Sequence, residues 1–260
     1  MDFRRFKAIR TFDGSHENSR YRDNMMAKLV SLHNSVHQEL RICPEKAESH
    51  GAELNMVPVM LSEFLKLAVQ FPIALTKNKE TGKFVCVAML GFAEKENLFW
   101  QHAKLDTLYT PLHISRQPFF LGRNEATSNS TIDTEDQYVV CFDAESDSLV
   151  AEGGELLFTA AGEETPYLRK IKAMLAELLD GEAHVKAFLE SLLELDLLTS
   201  MQLDITFANG ESQRVNGMYT IDEKKLNALS GEAVVKLHRA GYLAYIYAMV
   251  TSTGQIYSLI

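Results

Sequence analysis

Eight histidines are spread over 260 residues, and two of them stand at a metal-compatible spacing. His33 and His37 are i and i+4 neighbours, which on a helix share one face and reach a common ion. The residue after His33 is Asn34, so the glutamate of an HExxH protease is missing. Val36 between the pair fits a strand edge equally well. A second set, His102, Asp106 and His113, has the donors of a non-haem iron site, which needs them arranged facially with open positions. A solvated loop between strands explains the same three side chains, and we prefer that reading. Asp143, Glu145 and Asp147 offer oxygen ligands for a hard cation, or simply a charged turn after a buried strand.

Arg116 sits in SRQPFF between two apolar runs. A guanidinium held among aromatic residues can fork onto a carboxylate or phosphate ligand, whereas the plainer expectation is an internal ion pair. Trp100, the single tryptophan, offers a stacking surface for a ring-shaped ligand or a core anchor. With His113, these two are the candidate ligand-binding residues. Cys86 and Cys141 lie in apolar strand-like runs that suit buried, inert thiols. The chain lacks a G-x-S-x-G elbow, a P-loop and a G-x-G-x-x-G turn, so no cofactor is expected.

The elements that must carry these groups are legible from periodicity. Leu61, Phe64, Leu65 and Ala68 form a helical stripe that stops before Pro72. Residues 73–76 and 84–90 read as two strands joined by a polar turn. Short strands are expected near 97–100, 112–115, 119–121, 138–142 and 155–159. Residues 122–137 form a long polar loop. Thr165 and Pro166 begin a helix that Gly181 ends, and a second helix covers roughly 182–198. Strands at 201–207 and 213–219 flank Asn209-Gly210, a hairpin turn. Three helices near 222–229, 232–240 and 242–257 close the chain. We expect an α+β fold, with mostly antiparallel strands in the N-terminal half and a hairpin and several helices in the C-terminal half. Tyr242, Tyr245, Tyr247 and Tyr257 suit either core packing or an interface.

Residues 1–24 read as a flexible extension and 25–260 as one domain. The net charge of -9 argues against nucleic acid and anionic membranes, because both call for a dense basic surface. Three dispersed cysteines suit a reducing compartment, and no window is apolar enough to insert in a membrane. A cytoplasmic protein is the expectation.

Several stretches together resemble the SapC family of bacterial proteins. They are LNMVPVMLSEFLKLAVQFPIAL (54–75), GFAEKENLFW (91–100), YTPLHISRQPFFLG (109–122), GEETPYLRKI (162–171) and the run from Gly217 onward. The likeness extends from about Met25 to the end. It implies a bacterial accessory protein working beside uptake or halogenase-like proteins, and supplies no catalytic residues. The family's surface-layer association implies a second role, and its permease label conflicts with the lack of a spanning segment. We therefore expect an accessory protein that binds a protein partner, with a small-molecule ligand as a further option. A zinc or non-haem iron enzyme and a surface-layer component are the alternatives.

Overall fold

The computed structural model describes residues 6–8, 28–79, 81–124, 138–206, 210 and 212–260. Most of the expected N-terminal extension, most of the 122–137 loop, and Asn209 lie outside these residues. The described chain is α+β and sorts into two compact units. One comprises residues up to His50 with Ile114–Leu179; the other comprises Gly51–His113 with Asp180–Ile260.

The first unit holds an antiparallel sheet ordered Phe6–Ala8, Phe119–Asn124, Tyr138–Asp143, Leu29–Ser31. A smaller antiparallel sheet places Arg41–Ile42 between Leu149–Val150 and Glu155–Leu156. Ile42, Phe119, Phe142 and Leu157 fill the core, together with Leu168, Ile171 and Leu175 from one helix face. The 3.6-residue period expected for that helix is thus realised as packing. Thr165 caps the helix as its position suggests, its hydroxyl accepting the N–H of Leu168 at 3.3 Å.

The second unit is organised by an antiparallel five-stranded sheet, ordered Leu198–Thr206, Ser212–Ile221, Ile73–Lys77, Phe84–Met89, Met56–Pro58. Both expected hairpins are present, and the C-terminal one joins the sheet beside Ile73–Lys77. Ala74, Val85, Val87 and Met89 pack into a core with Ile205, Met218 and Leu259. Leu75, Cys86 and Ala88, their alternates along the same strands, are buried as well. Burial on both faces is why this region reads as an unbroken apolar run. A ring cluster of Phe64, Phe188, Tyr242 and Tyr245 adds edge-to-face packing.

Two local expectations are corrected. Leu112–Ser115 is a helical turn rather than a strand. The two helices expected on either side of Gly181 are one, Pro166–Glu194. A Cβ on Gly181 would lie 2.8 Å from Met60 Sδ and 2.9 Å from its Cγ. The glycine therefore marks close side-chain approach inside a helix, not the helix's end. No helix among the described residues is long and apolar enough to cross a membrane.

Candidate functional site

The apolar run VPVMLSEFLKLAV contains one acidic residue, Glu63, and the fold buries it completely. Glu63 Oε2 accepts the Met60 N–H at 2.8 Å, closing the turn that leads into the helix Phe64–Leu67. Its Oε1 accepts the Leu112 N–H at 2.8 Å and the Tyr109 hydroxyl at 3.3 Å. Hydrogen bonds from three donors offset the desolvation of a buried carboxylate. Lys66 Nζ lies 5.0 Å from the centre of the Tyr109 ring, adding a cation–π contact beside the same segment. The arrangement fixes the backbone of 60–63 against 109–112 and so sets the orientation of the short helix that follows.

That helix buries Phe64 and Leu67 and turns Leu65 outward. Leu65, read as part of the same helical stripe as Phe64, is 60% exposed, as is Val69 one turn later. Opposite them runs the helix Tyr242–Ser252, with Tyr247 53% exposed. Leu65, Val69 and Tyr247 edge a shallow apolar groove that also takes in Ala68, Ala244 and Ala248. No charged side chain occurs from Gly241 to Ile260, so this wall of the groove is electrically neutral. Scattered single apolar residues need no explanation; here they lie side by side on two packed helices. The tyrosine stripe divides accordingly. Tyr242 and Tyr245 join the ring cluster, while Tyr247 faces the groove.

The residues singled out from sequence take other places. Arg116 is buried in the first unit, where its Nη1 donates to the Phe119 carbonyl at 2.7 Å and its guanidinium stacks 4.5 Å from the centre of the Phe120 ring. Trp100 and His113 belong to the second unit. His113 is buried, whereas Trp100 is half-buried and pairs with Leu105 across a two-residue hairpin. His102 and Ala103 form that hairpin's turn, both with positive φ (53° and 60°). This is the primed-turn geometry, and it gives His102 an exposed backbone role. Asp106 is exposed nearby.

In the first unit His37 Nδ1 accepts the backbone N–H of His33 at 3.0 Å, and its ring meets Phe142 edge-on with centroids 5.1 Å apart. Burial lowers the His37 pKa below its ordinary value, and the neighbouring His33 lowers it further. One nitrogen of the ring therefore closes the turn Asn34–His37. Asp143 Oδ1 accepts the N–H groups of Lys28 and Glu145, both at 3.1 Å, which is turn chemistry. Among the described residues no group of three or more His, Cys, Asp or Glu is placed to hold a metal.

Sequence reading passed over both Glu63 and the Leu65–Val69 ridge. Each had a visible signal: a lone acid inside an apolar run, and a surface helix apolar on more than its core face.

Comparison with curated proteins and with solved structures finds no match. The SapC family model matches residues 32–259, running through both compact units. On that near-complete match, the chain belongs to the SapC family.

Proposed function

We propose that this SapC-family chain is a cytoplasmic accessory protein without chemistry of its own. It acts with uptake or halogenase-like proteins by holding a partner in the Leu65–Val69–Tyr247 groove. One observation carries the reading, the neutral apolar groove on an acidic protein. Neutral lining calls for an uncharged apolar face on the occupant, and the net charge of -9 opposes an anionic bilayer. A partner protein's amphipathic helix fits both conditions, since it lays apolar side chains between two ridges and keeps its polar side in water.

A photo-crosslinking amino acid at position 69 or 247, with position 190 on an exposed helix face as control, identifies the occupant in cells. The captured protein is then purified and titrated against wild type, Leu65→Asp and Tyr247→Asp. The expected result is groove-specific crosslinks and affinity at least tenfold weaker in both variants, about 1.4 kcal/mol. Equal affinity, crosslinks no different from the control, or adducts with lipid alone would overturn the proposal.

A further inference from the structure

The five-stranded sheet ends on two unequal edges. One is Met56–Pro58, three residues closed by a proline that has no N–H to offer. The other is Leu198–Thr206, nine residues without proline or lysine, which pairs with Ser212–Ile221 on one side and with no described strand on the other. Long unguarded edges are templates for another strand. The irregularity in this ladder falls on the inner strand. Between the pairs Met201↔Met218 and Leu203↔Val215, Asn216 and Gly217 oppose Gln202 alone, with Gly217 at φ 79°. The outer edge therefore runs on without a bulge of its own.

From Met201 onward its side chains alternate. Ile205 is buried, and Met201 and Leu203 pack against the same core, while Gln202, Asp204 and Thr206 are exposed on the other face. Asp204 is the edge strand's only charge, and it is turned onto the neighbouring strand, where Arg214 Nε donates to it. Gln202 Nε2 also donates to Asp204, at 3.1 Å.

We infer that Leu198–Thr206 pairs with the same strand of a second copy of this chain, antiparallel about a two-fold axis at Leu203. Self-complementarity selects this occupant and this register. About Leu203, Asp204 faces the second copy's Gln202, a carboxylate against a carboxamide donor, and the symmetry makes that pair twice. Ile205 meets Met201, which continues the apolar face, and Thr206 meets Ser200, hydroxyl to hydroxyl. Centring one residue later would set Asp204 against Asp204, as would parallel in-register stacking. The partner groove uses different residues, so one chain can self-associate and hold a partner at once. Because both copies are acidic, added salt strengthens the dimer by screening their repulsion.

Sedimentation equilibrium of the full chain over a concentration series tests this, with three variants at exposed positions. Wild type should form a dimer that tightens with salt. Gln202→Glu sets like charges opposite each other at two symmetric places, and should weaken the dimer roughly two- to thirtyfold. Gln202→Lys should strengthen it by a similar factor. Leu65→Asp, which places a charge in the groove, should leave dimerisation unchanged while weakening partner binding at least tenfold, so the two proposals fail separately. Circular dichroism confirms that each variant is folded. A strict monomer at every concentration would overturn the inference. So would a dimer indifferent to both Gln202 variants, or one that Leu65→Asp dissolves.

Discussion

Glu63 Oε1 accepts the N–H of Leu112 at 2.8 Å, a single hydrogen bond across 49 residues of chain. It links the two stretches LNMVPVMLSEFLKLAVQFPIAL and YTPLHISRQPFFLG, two of the segments that carry the family likeness. Two of the donors to this buried carboxylate, the Leu112 N–H and the Tyr109 hydroxyl, come from the second stretch, and the Met60 N–H comes from its own.

Removing the Glu63 carboxylate leaves buried N–H groups without an acceptor. Glu63→Ala should cost about 3 kcal/mol in urea unfolding, and Tyr109→Phe about 1 kcal/mol, since the backbone donors remain bonded in the latter. If Glu63→Ala costs no more than Tyr109→Phe, the carboxylate is not the clamp described.

Gly181 lies within a long helix, where alanine is ordinarily preferred by up to about 1 kcal/mol. Contact with Met60 reverses that preference. Gly181→Ala should lower stability by about 1 kcal/mol, and Met60→Ala in the same chain should relieve part of the loss. A double-mutant cycle by thermal melting checks the coupling, and additive effects would refute it.

Ala103 occupies a left-handed backbone position at φ 60°, which disfavours side chains bearing a Cβ. Ala103→Gly should raise stability by about 0.5–1 kcal/mol, because relief of strain exceeds the extra unfolded-state entropy of glycine. Denaturant midpoints at constant m-value provide the check.

Burial, and then the neighbouring His33, disfavour the protonated form of His37. Its folded pKa lies below the ordinary 6.5, so the unfolded state binds the proton more readily. The resulting stabilisation is present above pH 6.5 and is lost as pH falls below it, through the folded-state pKa. Stability of wild type should fall more steeply between about pH 6.5 and 5 than that of His37→Gln. Parallel curves would exclude this linkage.

Three thiols should react unequally. Burial pushes the Cys86 pKa up to about 12 and raises that of Cys141, while Cys43 is half-buried. Only thiolate attacks a disulfide reagent. At pH 8 the native chain should release close to one equivalent with Ellman's reagent, and Cys43→Ser should abolish it. Denaturation should expose all three.

The periodic elements were legible in the chain because they rest on local rules. The hairpin at 73–90, the helix opened by Thr165-Pro166, and the uncharged terminal helix each follow from alternation, capping or composition. Errors fell where a residue's meaning is set by something distant. Gly181 reads as a helix stop until Met60 is packed against it, and Leu112–Ser115 reads as a strand until Glu63 receives its N–H. The histidines, whose spacing left metal binding as the weaker alternative, take local roles here: His37 accepts a backbone N–H and His102 forms a turn.

Sequence by itself therefore determined the α+β class and the family, because periodicity and a dispersed set of matching stretches are properties of the linear chain. Tertiary structure decided which apolar residues remain outside. Leu65 and Phe64 are both large, apolar and adjacent, and packing against Phe188 and Tyr245 buries Phe64 while Leu65 stays in the groove. The edge position of Leu198–Thr206 among the described strands was likewise decided by strand order. A strand's own residues state what can pair with it, and the sheet alone determines which side remains open.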